Sequence, residues 1–542
     1  MMTGNYTPTP WPYFFIRLLF KFVLKIFYGT IVVENADLIP GNGEPCIICA
    51  NHSNSLTDAV LLVGTVPSNK RNFIRLTAKS TQFGRGTFTS WLIEAAGTVP
   101  IKRRKDTPDV ALDNSEVMEN LKRVLEQGDA VCFFPEGMSR YHPTLAPLKT
   151  GVARLISDVL TRQKADPTFK IHLQTCSITY MHRQHFRSDV LITFHPPIPF
   201  TPKANPELIE PVDFSHIRSL TSHIHQLISS GTFDAPSWDI VRCGKLAARI
   251  YAPLGTHMAL GDYVRVCRAF IEAFKWAEAE GSIENGFTTS GSEEEADEVV
   301  KTRSALINVL RRDLRNYQDQ LSYLGIKDDR IRRPLSRPII LWRILVRLWM
   351  TCFLAFISLP GLIFWIPIFG ATQYASRRMV RKGPAWDTWD EIAQTKLATG
   401  FAVGVVVWLI SIMTTFPIAF ITAPAIPIIM WFSLRWFEDA VAASRALRAL
   451  LHLLFIGKPR LRTLYILRQE LYVRLMELAV ESLRLPADPD IYFSQSGGKE
   501  KGRIRSRWEG KIKYFSVKRR RKRDWNETLR LYDEVDYPED SF

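Results

Sequence analysis

The sequence predicts an α/β core followed by a helical region and then by membrane-embedded helices. Two observations carry that prediction. Short β-branched runs alternate with amphipathic stretches between about Ile31 and Phe200, and the later part of the chain holds two long stretches without charge. One of these, Leu397 to Leu434, is 38 residues long, and 29 uncharged positions starting at Leu348 precede Arg377. Each exceeds the roughly 20 residues that cross a bilayer. At 542 residues the chain is too long for one ordinary domain. Its mean hydropathy of −0.04 averages a polar core with the two apolar blocks. A disordered chain or a small disulfide scaffold is excluded, and a purely soluble enzyme does not fit.

Residues 1–33 read as an interfacial or membrane-associated helix. Arg17, Lys21 and Lys25 recur every four residues and share one helical face, while Phe14, Phe15, Leu18, Leu19, Phe22 and Ile26 cover much of the rest. The expected arrangement turns the basic residues to water and the apolar ones to lipid. The stretch lacks the pattern of a secretory signal, since no small-residue cleavage site follows a clean apolar core.

Residues 34–275 read as an α/β domain with a helical extension. Pro45 to Ala50 is a buried strand, and Ala130 to Phe134 is a second one broken by Pro135. Cys46 and Cys49 form a C-x-x-C with no second pair, so the strand reading stands ahead of zinc or redox chemistry. Asn114 or Ser115 can cap a helix through Val117, Leu121, Val124 and Leu125 that stops at Gly128. Lys170 to Tyr180 and Asp189 to Phe194 are further strands, and Asp213 to Phe274 is mostly helical.

Residues 276–340 read as an acidic loop, Glu278 to Glu298, then a helix with Leu306, Leu310, Leu314, Tyr317 and Leu321 on one stripe, ending at Gly325. Residues 341–440 are membrane-embedded hairpins. Pro360 and Pro367 interrupt the first block; Pro417, Pro424 and Pro427 interrupt the second, which is long enough for two tight spans or one span plus a re-entrant piece. Arg-rich flanks on both sides favour the cytosol. Residues 441–542 are a helical and polybasic tail. There, Lys499 to Arg523 holds 13 basic and 2 acidic residues, most of the chain's net +16. Anionic lipid headgroups suit that run better than nucleic acid in a chain already bound to membrane. Seven scattered cysteines point to a reducing compartment.

Two short motifs follow the two buried strands: Asn51-His52-Ser53-Asn54-Ser55-Leu56-Thr57-Asp58 and Phe134-Pro135-Glu136-Gly137-Met138-Ser139. Ligand sites in open α/β sheets gather at the carboxyl ends of strands. Between the motifs, Gly97-Thr98-Val99-Pro100-Ile101-Lys102-Arg103 is a turn ending in a basic cluster that can hold a phosphate. His52 with Asp58 suggests an imidazole base whose tautomer a carboxylate fixes. No partnered Ser or Cys nucleophile is evident, so direct attack by a substrate hydroxyl is the simpler chemistry.

These three motifs, in this order, resemble the glycerolipid acyltransferase superfamily. Pro147-Leu148-Lys149-Thr150-Gly151-Val152-Ala153 and His185-Phe186-Arg187-Ser188 look like the fungal-type branch that acylates glycerol 3-phosphate or dihydroxyacetone phosphate. The resemblance implies an α/β acyltransferase core, a mixed sheet flanked by helices, in which His52 is the general base and Asp58 its partner. It also implies that Arg103 binds the acceptor phosphate, that Glu136 and Gly137 shape the acceptor site, and that Ser139 stands beside them. Lys149 is added as a second phosphate contact.

Two departures bear on structure. Five residues separate His52 from Asp58 where the superfamily commonly has four, which requires a bulge or a later helix start. Gln174-Thr175-Cys176 stands where a fourth motif usually carries proline. The implied reaction transfers a fatty acyl group from acyl-CoA to the 1-hydroxyl of a small phosphorylated acceptor, with oxyanion donors among the backbone N–H groups near Gly137. It takes membrane lipid as a partner and needs no nucleic acid, metal or other cofactor. The expected location is the endoplasmic reticulum membrane with the catalytic domain facing the cytosol. The alternatives are 2-acylation of lysophosphatidic acid and a non-catalytic membrane scaffold with a lipid-binding tail.

Overall fold

The computed structural model describes residues 7–102, 114–252, 258–283, 294–326, 328, 331 and 336–495. Arg103 and the polybasic run Lys499 to Arg523 lie outside the described residues.

Among the described residues, eight strands make one mixed sheet: β1 (Thr30–Glu34), β2 (Cys46–Ala50), β3 (Ile74–Lys79), β4 (Val99–Ile101), β5 (Ala130–Phe133), β6 (Ile171–Tyr180), β7 (Asp189–Phe194) and β8 (Ile198–Phe200). Their order is β1-β7-β6-β2-β5-β3-β4, with β8 pairing β6 off that path. The pairings are parallel except β6 with β7 and β6 with β8. Consequently β2, β5 and β6 end on the same edge of the sheet.

Every residue of β2 is buried, as expected of a central strand covered on both faces. Alternation sends Cys46, Ile48 and Ala50 into one core and Ile47 and Cys49 into the other. The two cysteines, three positions apart, therefore point to opposite sides of the sheet, and the C-x-x-C is plain strand.

Helices α1 (Trp11–Phe27) and α2 (Leu56–Thr65) pack in the first core. The second core is covered by α4 (Ser115–Glu126), α5 (Gly151–Arg162) and α6 (Phe214–Ser229), α3 being Phe88–Ala95. Leu121, Val124 and Leu125 of α4 are buried as their spacing predicts.

One expectation for α1 is corrected. Arg17 does not face water; it is 6% exposed and its guanidinium donates to the carbonyls of Val66, Arg71 and Asn72, just past the end of α2. A buried arginine is tolerable when carbonyls take its donors. Tyr13, Ile16, Phe20, Leu24 and Phe27 join it in the interior. Trp11, Phe14, Phe15, Leu18 and Phe22 form the exposed apolar face, with Lys21 exposed beside them.

The chain divides into two compact units, one comprising the described residues up to Thr232 together with Arg378–Leu397. The division places 233–275 with the second unit rather than with the α/β domain. In that unit α7 (Trp238–Tyr251), α8 (Leu260–Ile283) and α9 (Glu294–Tyr323) pack on one another. Both ends of the acidic stretch, expected as a loop, are helical. Leu310, Leu314, Tyr317 and Leu321 are buried, but Leu306 is 64% exposed and Ile307 takes its place. A buried bidentate pair, Arg468 with Asp328 at 2.7 and 3.0 Å, ties helix Lys458–Glu477 to the segment after α9, and Tyr317 donates to the same carboxylate.

Among the described residues, three helices are long and apolar enough to cross a membrane. Arg337–Val380 runs unbroken through Pro360 and Pro367, and Ala419–Phe455 through Pro424 and Pro427, so these prolines do not interrupt the blocks as expected. The second block breaks only at the turn Phe416–Ile418, which separates Ile392–Thr414 from Ala419–Phe455. Apolar surroundings tolerate such prolines where neighbouring groups satisfy the freed carbonyls. Trp365 donates its indole N–H to Met430 O at 2.9 Å, and Gly361 lies so close to Ser433 that a Cβ would meet its hydroxyl.

Candidate active site

The site begins where β2 leaves the sheet. Ala50 is the last residue of β2 in register with β6. Asn51 then continues the pairing with its side chain, its Oδ1 accepting from Ile178 N at 2.7 Å and its Nδ2 donating to Ile178 O at 2.9 Å. The backbone is thereby freed to turn, and His52 stands at the strand's carboxyl end.

The long His52–Asp58 spacing is accommodated by a late helix start. Ser55 adopts φ 48°, a left-handed conformation uncommon for a residue with a side chain, and α2 begins at Leu56. Asp58, in the first turn of α2, comes back to His52 with Oδ2 2.9 Å from Nδ1. The same oxygen accepts from Ser53 N at 3.0 Å and Asn54 N at 2.8 Å, while Oδ1 accepts from the Tyr180 hydroxyl. Asp58 is fully buried, and a buried carboxyl group needs such partners.

Tyr180 comes from the end of β6, and Tyr28 lies with its ring centroid 6.1 Å away. Burial, and then the neighbouring Asp58, push both phenols well above their ordinary range. Tyr180 therefore keeps its proton and serves Asp58 as a donor.

With Nδ1 engaged, His52 has Nε2 for a substrate. The ring stacks on Phe134 at 4.4 Å and the side chain is 20% exposed. The second motif holds the first from beneath. Glu136 Oε1 accepts from His52 N at 2.6 Å and Oε2 from Ala146 N at 3.1 Å, so its carboxylate is committed to backbone. Burial lifts the Glu136 carboxyl above its ordinary value, against the pull of those two N–H groups. Ser139 Oγ accepts from Ser55 N at 2.9 Å, at the residue with the unusual backbone.

Gly137 has φ 74°, and a Cβ there would lie 2.5 Å from Lys149 Nζ. The exposed Lys149 ammonium thus reaches this turn. The N–H of Gly137 itself donates to Phe134 O at 2.9 Å, which removes it from the oxyanion donors expected nearby. Lys102 N and O pair with the Asn114 side chain at 3.0 Å each. Asn114 makes no side-chain cap on α4.

Sequence reasoning brought His52, Asp58, Glu136, Gly137, Ser139 and Lys149 to one place. It missed Tyr180 and Tyr28, which carry no motif, and the bridging role of Asn51, for which its position at a strand end was the available signal. Arg187, in a segment read as a family mark, holds backbone instead, donating to the carbonyls of Lys25, Ile26 and Tyr28 at the end of α1.

Residues 30–179 match the family described as Acyltransferase, and residues 300–385 match the Glycerol-3-phosphate acyltransferase 2 C-terminal domain. The chain is 26% identical over 276 residues to Glycerol-3-phosphate O-acyltransferase 2 of Saccharomyces cerevisiae, covering 50% of this chain and 33% of that one. It is also 26% identical over 276 residues to an uncharacterized acyltransferase of Schizosaccharomyces pombe, covering 51% and 36%. Glycerol-3-phosphate O-acyltransferase 1 of Saccharomyces cerevisiae is 21% identical over 277 residues, covering 50% and 32%. The match spans about a third of the length of each relative.

Proposed function

Since this chain joins an acyltransferase domain at 30–179 to a glycerol-3-phosphate acyltransferase 2 C-terminal domain at 300–385, we propose that it acylates the 1-hydroxyl of glycerol 3-phosphate from acyl-CoA. The single observation behind the mechanism is the His52 Nδ1–Asp58 contact, which leaves Nε2 as the base. Nε2 takes the hydroxyl proton as the oxygen attacks the thioester carbonyl. The tetrahedral intermediate collapses with loss of the coenzyme A thiolate, and the imidazolium returns the proton to it. Lys149 and Arg103 hold the acceptor phosphate, and dihydroxyacetone phosphate fits the same clamp. The reaction calls on no metal or prosthetic group.

The product, lysophosphatidic acid, stays in the bilayer that delivers the acyl chain, so the apolar helices and the outer face of α1 serve the same chemistry. The proposed location is the endoplasmic reticulum membrane; the seven cysteines and the Arg-rich flanks favour the cytosolic side for the catalytic domain. Radiolabelled acceptors tested on purified membranes decide the substrate. Conversion of glycerol 3-phosphate is expected; consumption of lysophosphatidic acid alone would make this a 2-acyltransferase instead. His52→Ala is expected to lower kcat about 10²–10⁴-fold. A folded His52→Ala protein with full activity would show that His52 is not the base, whereas a wild-type chain that acylates neither acceptor would leave the scaffold reading in its place.

A further inference from the structure

The stretch Arg378–Leu397, which runs from the end of the first long apolar helix into the start of Ile392–Thr414, belongs to the catalytic unit, although it lies far along the chain. It is anchored there at several points. Trp386 O accepts from Tyr141 N at 3.0 Å, the Trp389 ring meets Tyr141 edge-on at 5.3 Å, and Lys396 Nζ donates to Gln184 O at 2.7 Å. Ala393 is fully buried in the core that also holds α2, and Leu397 packs against it.

Two of its polar side chains end on the catalytic motif. Gln394 Oε1 accepts from Ser55 Oγ at 2.9 Å and from Leu56 N at 3.2 Å. It thereby satisfies an N–H of the first turn of α2, which a residue at the helix start itself would usually satisfy. Asp390 is 3% exposed; burial raises its carboxyl to about 6, and Ser139 and His52 both lie close enough to lower it. Ser139 in turn accepts from Ser55 N. Ser55, whose left-handed backbone lets Asp58 return to His52, is thus held at its N–H through Ser139 and Asp390, and at its hydroxyl by Gln394.

We propose that Gln394 and Asp390 are positioning residues for the His52–Asp58 pair, so that the segment leading into Ile392–Thr414 completes the catalytic site. This rests on the acyl-transfer reading above. The physical reason is that Ser55 carries an unfavourable backbone conformation that these bonds help to hold, and base geometry is lost when they go. A chain lacking those contacts keeps its strands and its acceptor clamp but presents Nε2 in scattered orientations.

The test uses the full chain in phosphatidylcholine vesicles, with kcat and KM measured separately for glycerol 3-phosphate. Gln394→Leu is expected to lower kcat about 10–100-fold while KM stays within about twofold. Gln394→Glu keeps the acceptor oxygen and is expected to recover most of that loss. Asp390→Ala should lower kcat in the same pattern, and it decides the matter alone if Gln394→Leu does not fold. Wild-type kcat in the folded variants, or a Glu variant as impaired as the Leu variant, would overturn the proposal. Controls in the same assay separate the levels: no transfer by the wild-type chain sinks the acyl-transfer reading, full activity in His52→Ala sinks the base role, and an inactive His52→Ala beside a fully active Gln394→Leu sinks only the positioning role.

Discussion

Asp58 shows how a reactive pair depends on residues that do no chemistry. Four donors converge on its carboxylate, and three of them are within six residues in the chain. The fourth, Tyr180, is 122 residues away and comes from another strand. Tyr180→Phe removes that donor and leaves a buried carboxylate oxygen unpaired, at an expected cost of about 1–3 kcal/mol in stability. Thermal unfolding in detergent measures it, together with a drop in kcat. Unchanged behaviour in both would mean that Tyr180 does not hold Asp58. His52, Asp58 and Glu136 were legible because each sits in a short motif directly after a buried strand. The motifs could not reveal that Glu136 spends both oxygens on the backbone of His52 and Ala146.

Helix α1 shows the same division one level up. Its amphipathic pattern was legible, and Phe14, Phe15, Leu18 and Phe22 are indeed exposed, at 53–60%. Arg17 was misplaced because periodicity treats every arginine as a water-facing group, whereas here three backbone carbonyls of the loop between α2 and β3 accept its donors. The exposed face is expected to enter the bilayer interface. Replacing Phe14, Phe15 and Phe22 with Ser should weaken binding to neutral phosphatidylcholine vesicles by well over tenfold, since each loses on the order of 1.5–3 kcal/mol of burial in lipid. Because those side chains are not in the core, the fold should persist, which circular dichroism checks. Equal vesicle binding by the variant would refute a lipid role for this face.

Across the whole molecule, charge and apolar surface act on the membrane by different physics. The run Lys499 to Arg523 is expected to attract anionic headgroups through long-range charge, whereas α1 and the three long apolar helices of the described residues are expected to act by burial. Deleting 499–523 should therefore reduce binding to anionic vesicles at low salt and have little effect at high salt, where the Debye length falls to about 3 Å at 1 M. A salt-independent loss, or none, would leave the tail as solvated chain. Vesicle flotation at two ionic strengths distinguishes these outcomes.

The sequence by itself determined β2, β5, β6 and β7 among the described strands, the strand ends where the motifs sit, and the long uncharged stretches. These are properties of short windows, set by side-chain periodicity and by which residues a turn or bilayer admits. Only the tertiary structure decided which distant groups meet. Asn51 reaches Ile178 across 127 residues, Tyr180 reaches Asp58 across 122, and Gln394 reaches Ser55 across 339. Such pairings follow from strand order and helix packing rather than from local preference. A hydrogen bond depends on separation in space, and sheet order makes that separation independent of separation along the chain.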